Sequence, residues 1–382
     1  MIEGSIKIER VRVKELCKFA ETHRNDYTHG GVVPISRLRA SAQTHNPAAS
    51  EDDLALLAAC RNGVCVGYLG LMAGWVRVRD ERKPIYWFTT WYVHPNIRQT
   101  AVGALLMITA MNLDRDVIAN GIAPQTLPLY RRLRFEAMGP LLFERFNAKY
   151  FDLLGLPWLA VRKMLSRRGL HYKLLDFIFR CMRATSLYIV YMLLDRTMRE
   201  LETDYEFHSC TELPELIGRS QNEIGFVRCK RIVSWMLDWP WLTDNSDKAT
   251  PVYFFSDLCD LYQQSIVRFR STKDGGSGWI VLRITRRNCE TVLKVLDYEV
   301  SPNNDIRPIV AAALRWASRH RADIIEISHD ARLCLEQRFL LRHLFRTQMR
   351  PYFCHLARKE SALRGSLEEV HLNYCDGDTS FT

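Results

Sequence analysis

One stretch of the chain concentrates residue types that bind a ligand through the main chain: Val93-His94-Pro95-Asn96-Ile97-Arg98-Gln99-Thr100-Ala101-Val102-Gly103-Ala104-Leu105-Leu106. An aromatic and β-branched run ends at Val93, and Pro95 has no amide to give a ladder, so a strand stops there. A short loop then opens an amphipathic helix near Val102. Ala101 and Gly103 are small enough for a ligand to approach the backbone. The first helical turn leaves amides without intrahelical acceptors and carries the positive end of the helix dipole. The start of the helix therefore reads as an anion site. The strand in front, Trp87-Phe88-Thr89-Thr90-Trp91-Tyr92, has no carboxylate to serve as a general base. His94 is adjacent but reads as a solvated loop residue, which leaves water relayed by Thr89 or Thr90, or a substrate of lowered pKa.

The elements that must hold this loop follow from periodicity. Ile6 to Val13 reads as a strand, Lys14 to His23 and Ile35 to Ala42 as helices. Leu54 to Cys60 and Val64 to Met72 form a hairpin around Asn62-Gly63, which supplies the positive φ of a tight turn. Strand Ile85 to Val93, helix Val102 to Leu113, strand Val117 to Ile122, helix Leu127 to Leu133 and a last strand, Met138 to Phe146, complete a mixed α/β sheet. From Tyr205 the same order restarts, as a diverged internal repeat. Strands are expected at Tyr205 to Ser209, Val252 to Phe255, Ser265 to Arg270, Trp279 to Thr285, Thr291 to Val300 and Asp323 to Ser328. Helices are expected around Leu213 to Ile217, Lys230 to Leu237, Ile309 to Arg319 and Leu333 to Leu344, with an edge strand near Tyr352 to Leu356. The fold class is α/β: two domains, 1–150 and 205–360, each a mixed twisted sheet flanked by helices. A basic helical connector, 151–204, joins them, and 361–382 is a polar tail expected to be loose.

Composition bounds the partners. The 382 residues are 47% hydrophobic and 25% charged, values that exclude wholesale disorder. No apolar run approaches the roughly 20 residues of a membrane helix, and the charged N-terminus lacks a signal peptide's apolar region, so a cytoplasmic location is expected. The 11 cysteines are scattered with no zinc-ligand spacing, which fits reduced thiols and no metal. The net charge of +10 suggests an anionic partner, and it is local: nine Lys and Arg stand against three acids between Gly155 and Glu200. Leu174, Leu175, Ile178, Phe179 and Met182 recur there at helical spacing. Such helices pack on flanking domains, and a basic amphipathic helix also suits an anionic membrane surface.

The loop segment resembles the central motif of the GCN5-related N-acetyltransferases, V-x-P-x-x-R-x-x-G-V-G-x-x-L, with Val93, Pro95, Arg98, Val102, Gly103 and Leu106 in register and Ala101 where glycine is usual. Leu129-Tyr130-Arg131-Arg132-Leu133-Arg134-Phe135 resembles the family's L-Y-x-x-L-G-F, with Arg134 at the glycine. The resemblance is strong over residues 1–150 and weak over 205–358. It implies an acyl-CoA-dependent N-acyltransferase that works by direct attack of a primary amine, of a small molecule or amino sugar, on acetyl-CoA or another acyl-CoA. Tyr92, Val93, Arg98, Gln99, Thr100, Ala101, Val102, Gly103 and Ala104 would bind the coenzyme. Amides near Tyr92 and Val93 would polarise the thioester carbonyl, and Tyr130 would protonate the leaving thiolate. The second half lacks the loop: Val300 to Pro308 has no glycine pair, Pro308 removes a donor and Asp305 would repel a phosphate, so it reads as a degenerate copy. Two other readings are an aminoacyl-tRNA-dependent peptidyl transferase of the Fem type, which the coenzyme loop disfavours along with nucleic acid generally, and a non-catalytic acyl-CoA-binding or scaffold protein.

Overall fold

The computed structural model describes residues 5–78, 81–148, 188–213, 224–250, 252–273, 275–301 and 305–357, then 361, 363, 367, 370, 372 and 376–380. The expected helices around Leu213 to Ile217 and through most of the connector lie outside these residues. The described part of the connector, 188–202, is helical.

In chain order the first strands are β1 (Ile6–Arg12), β2 (Leu54–Arg61), β3 (Val64–Val78), β4 (Glu81–Val93), β5 (Asp116–Asn120), β6 (Glu136–Ala137) and β7 (Leu141–Asn147). Then follow β8 (Tyr205–Cys210), β9 (Gly225–Phe226), β10 (Leu261–Ser271), β11 (Ser277–Arg287), β12 (Glu290–Ser301), β13 (Ile324–Ser328), β14 (Phe345–Arg350) and β15 (Tyr352–His355). They form two sheets, ordered β1-β2-β3-β4-β5-β15-β6, with β9 on β3, and β14-β7-β13-β12-β11-β10-β8.

The compact units are not the contiguous blocks 1–150 and 205–360. Met1–Leu141, Leu213–Tyr262 and Met349–Thr382 make one; Leu142–Glu212 and Gln263–Gln348 make the other. The reason is an exchange of strands. β7, expected to close the first sheet, pairs antiparallel with β13 in the second. β15, expected at an edge, lies between β5 and β6 in the first. Each exchanged strand is pinned by a carboxylate inside its own unit. Glu144 of β7 is fully buried and accepts from His329 Nδ1 at 2.9 Å, Thr347 Oγ1 at 2.9 Å and Arg332 Nη1 at 3.3 Å. Asp116 accepts from the Ala357 amide at 2.9 Å and Ser361 Oγ at 2.5 Å, just beyond β15.

In the first unit the helices α1 (Leu16–Thr22), α2 (Arg37–Thr44), α3 (Val102–Met111) and α4 (Leu127–Arg132) flank the sheet. The β2–β3 turn takes the expected form, with Asn62 at φ 52° and Gly63 at φ 80°. Strand alternation sends Tyr86, Phe88, Leu69 and Leu71 into one core with Val102, Leu106 and Met107 of α3 and Tyr130 of α4. Leu56, Ala58 and Tyr68 face a second core with Leu16 and Ala20 of α1, Ala40 of α2 and Tyr253.

Three local expectations are corrected. Val252 to Phe255 is no strand but a turn whose Tyr253 is buried in that second core. The helix expected over Leu333 to Leu344 is broken into Arg332–Glu336 and Phe339–Leu344, because Arg338 between them is extended at φ −105°, ψ 106°. The tail is not loose where it is described: Leu363, Leu367 and Val370 are buried, Asp376 is buried, and Gly377–Ser380 forms a 3-10 turn. Leu363, Leu367 and Val370 find cover, and that burial outweighs the polar average of the segment.

Candidate active site

The first unit builds an opening beside β4. β4 and β5 pair in parallel from Ile85 with Asp116 to Phe88 with Ala119, and the pairing ends there. On its other side β4 pairs with β3, but Leu69 faces Trp91 while Leu71 faces Phe88. One extra residue is thus inserted on β4 at Thr89–Thr90, a β-bulge, which bends the strand and re-aims its edge. Gly70 stands opposite the bulge, where any Cβ would run into the Thr89 and Thr90 hydroxyls. From Thr89 to Val93 the strand runs on without β5, and among the described residues no strand pairs with its outer edge.

Alternation decides which amides face that edge. The His94 amide donates to Val66 O on β3 at 2.9 Å. Tyr92, two residues back, directs its amide the same way, whereas those of Trp91 and Val93 turn to the open side. Of the two amides expected to polarise a carbonyl, that of Val93 faces the open side and that of Tyr92 does not. The Tyr92 ring instead packs on Phe254 at 4.1 Å and on Tyr68 at 5.9 Å.

The loop that follows is ordered by its own side chains. His94 Nδ1 accepts from the Asn96 amide at 3.3 Å, capping the turn Pro95–Ile97. Arg98 donates from Nε to Val93 O at 3.1 Å and lies over the Tyr92 ring. The Thr100 hydroxyl donates to Ile97 O at 2.7 Å and accepts the Val102 amide at 3.4 Å. Ala101 takes an ordinary φ of −73°, so the alanine in place of glycine is accommodated without strain. The Leu105 amide bonds to Ala101 O, and Gly103 and Ala104 precede it in the first turn, where no intrahelical acceptor exists. No acidic residue stands in that turn. Gln99 is exposed.

Gly103 is where α3 meets β4. A Cβ there would lie 3.0 Å from Trp91 Cζ2 and 3.5 Å from Val93 Cγ2. The missing side chain lets α3 press on β4, which sets the helix amides close to the open edge.

Tyr130 is only 4% exposed, with Phe135 at 4.8 Å and Phe353 of β15 at 6.1 Å between ring centroids. Burial, with the Asp378 carboxylate adding to it, pushes the phenol well above the ordinary tyrosine value, so the hydroxyl keeps its proton. Asp378 comes from the far end of the chain. The turn that carries it lies on the first sheet: at Gly377 (φ 66°) a Cβ would fall 2.7 Å from Asn120 Nδ2 and 2.8 Å from Trp87 Cε3. The apolar spacing of Leu363, Leu367 and Val370 was the signal for this packing. α4 ends as the family motif would require. Arg134 occupies the left-handed region at φ 59°, where its amide bonds to Arg131 O at 3.1 Å and that of Phe135 to Tyr130 O at 3.1 Å. A non-glycine residue held there is strained. Arg134→Gly is therefore expected to raise stability by about 0.5–1 kcal/mol, the relief exceeding the entropy lost. A lower denaturation midpoint for the variant would show that contacts of the guanidinium outweigh the strain.

The second unit repeats the frame without the loop. β12 and β13 pair in parallel from Val292 to Lys294, and a register shift at Val281/Leu282 again bulges the strand. At the start of helix Arg307–His320, however, Asp305 Oδ1 accepts the Arg307 amide at 3.0 Å, and the Arg307 guanidinium closes on the same carboxylate. The anion position is filled by the chain itself.

A search of solved structures matches this architecture. A conserved protein from Enterococcus faecalis, described as a probable N-acyltransferase, aligns over 92% of this chain and 73% of its own at 6% identity, with a TM-score of 0.51. The fold is the GCN5-related N-acetyltransferase fold. A tandem protein of that name from the clavulanic acid biosynthesis pathway aligns over 94% of this chain and all of its own at 12% identity and TM-score 0.49. A GCN5-related N-acetyltransferase from Anabaena variabilis aligns over 93% and 73% at 10% identity and TM-score 0.47. At such identities the GCN5-related N-acetyltransferase likeness is one of fold. No protein-family profile and no curated protein matches the chain. Among the described residues no helix is long and apolar enough to cross a membrane, and no group of His, Cys, Asp and Glu could hold a metal ion.

Proposed function

We propose that the first unit transfers an acyl group from an acyl-CoA to a primary amine of a small acceptor. The observation that carries this reading is the end of the β4–β5 ladder at Phe88, beside the Thr89–Thr90 bulge and just before the loop that opens α3. The residues present fit the coenzyme: an unpaired strand edge for its extended arm, and a helix start free of acids for its phosphates. When bound, acyl-CoA supplies the thioester carbonyl and the leaving thiolate. The Trp91 and Val93 amides are turned to the side where a carbonyl oxygen would lie, and would stabilise charge developing there. Tyr130, kept protonated, would give its proton to the departing sulfur. The acceptor amine would attack the thioester carbonyl directly, with no acyl-enzyme formed, so that positioning of the two reactants carries the reaction.

The degenerate second unit supports a stoichiometry of one. Calorimetry of the full chain against acetyl-CoA and longer acyl-CoAs is expected to give one site per chain. Two sites would overturn the assignment of the second unit; no binding of any acyl-CoA would overturn the function. Binding without turnover across an amine panel would favour the non-catalytic reading, to which the absence of a carboxylate from Trp87 to Tyr92 lends support. We also propose contact of the connector with an anionic surface. In the helix 188–202, Tyr188, Ile189 and Met192 are exposed hydrophobics, and the side chains of Arg196 and Arg199 are 77% and 72% exposed.

A further inference from the structure

The first unit buries a cation that it does not pair. Arg39 of α2 is 3% exposed, its amide capped by Ser36 Oγ at 3.3 Å. Its guanidinium lies 4.5 Å from the ring centre of Trp241, 5.4 Å from Tyr253 and 5.6 Å from Phe255. Arg39 forms no ion pair among the described residues, and its Nε and Nη1 are buried with no hydrogen-bond acceptor. The Tyr68 and Tyr253 rings stack at 6.4 Å with their buried hydroxyls beside one another, and the Tyr253 hydroxyl also lies beside Thr90. Asp257, a buried carboxylate of the same unit, gives both oxygens to the Thr250 amide at 3.0 and 3.2 Å.

Aromatic faces stabilise a guanidinium but leave its N–H groups unsatisfied. A buried charge without a hydrogen-bonding anion is costly, and native cores avoid it unless a ligand completes it. The place is also significant. Tyr68 lies opposite Tyr92 on the strand pair that carries the bulge, so the cluster sits beneath the bulged end of β4, on the sheet face away from α3. Its cover is the turn Val252–Phe255. Val252 is held at φ 60°, a left-handed conformation that a β-branched residue rarely adopts, and Val252 and Phe254 are 63% and 58% exposed. A shift of the exposed Val252 and Phe254, with Tyr253 staying against Tyr68, would relieve the strain and open a path to the guanidinium.

We propose that Arg39, with the Tyr68 and Tyr253 hydroxyls, is an anion subsite that takes a carboxylate or phosphate group of the acceptor, so that the acceptor is an anionic amine. This rests on the acyltransfer reading for its purpose, but its binding is measured without acyl-CoA. Three primary amines of similar size, ethanolamine, β-alanine and O-phosphoethanolamine, are titrated into the full chain by calorimetry and thermal melting. One anionic amine at least is expected to bind about tenfold or more tightly than ethanolamine. β-Alanine leading identifies a carboxylate; O-phosphoethanolamine leading identifies a phosphate. Arg39→Met, which keeps the length and loses the charge, is expected to abolish the preference and leave acyl-CoA affinity unchanged. Should that variant fail to fold, Tyr253→Phe keeps the ring and is expected to weaken the anionic amine alone. No binding by either anionic amine, equal binding of ethanolamine, or a preference that survives in the folded variant overturns the subsite. Acyl-CoA binding to the wild type, measured separately, tells failure of the subsite from failure of the function.

Discussion

Tyr130→Phe is expected to slow turnover about 100-fold or more, the scale of a lost general acid. The change removes one hydroxyl and keeps a ring packed on Phe135 and Phe353, so the fold should persist. Acyl-CoA affinity should change little, because the proton is needed only as the thiolate departs. The structure sharpens the pH dependence. The phenol of the folded protein titrates above its ordinary value of about 10, so its loss of a proton should not limit the wild-type rate through pH 10. An alkaline fall in rate near 9 that disappears in the Phe variant would contradict the buried setting. Normal turnover in the variant, or a loss seen only in substrate binding, returns Tyr130 to a purely structural place between the two phenylalanines.

Gly103→Glu is expected to weaken acyl-CoA binding by at least about tenfold. Two causes separate cleanly. Any side chain must displace the Trp91 indole, since even a Cβ stands 3.0 Å from it, and this tilts α3 away from the open edge. The carboxylate then adds a like charge at a helix start that has none. Gly103→Gln carries the first cause without the second. The glutamate should bind more weakly than the glutamine by about 1 kcal/mol, and more at low salt. Equal affinities for the two would remove the phosphates from this helix end, and unchanged affinity in a folded Glu variant would remove the coenzyme from the loop.

Much of the site could be read from residues alone because its signals are local. Pro95 ends a strand, small residues open a helix, and Asn62-Gly63 specifies a turn whatever surrounds it. The left-handed Arg134 shows the same from the other side: the motif predicts a glycine conformation, and the chain adopts it with arginine. What was not legible depends on partners distant in sequence. Alternation marks β7 and β15 as strands but says nothing of which neighbour each will choose. Val252 to Phe255 has a strand's composition, and its aromatic residues serve to enclose Arg39. The packing of Gly103 on Trp91 is equally hidden in the sequence, because the indole stands twelve positions earlier on another element.

The exchanged strands bear on how the protein comes to be folded. Asp116 and Ala357, joined by a hydrogen bond, are 241 residues apart. At about 5–20 residues per second of synthesis, the first sheet waits roughly 10–50 s for the strand that completes it. Throughout that interval the outer side of β5 is an unmatched template, able to pair with another nascent chain. The growing polypeptide should therefore depend on chaperones until β15 has left the ribosome, and a premature stop anywhere before Tyr352 should yield aggregate rather than a working half.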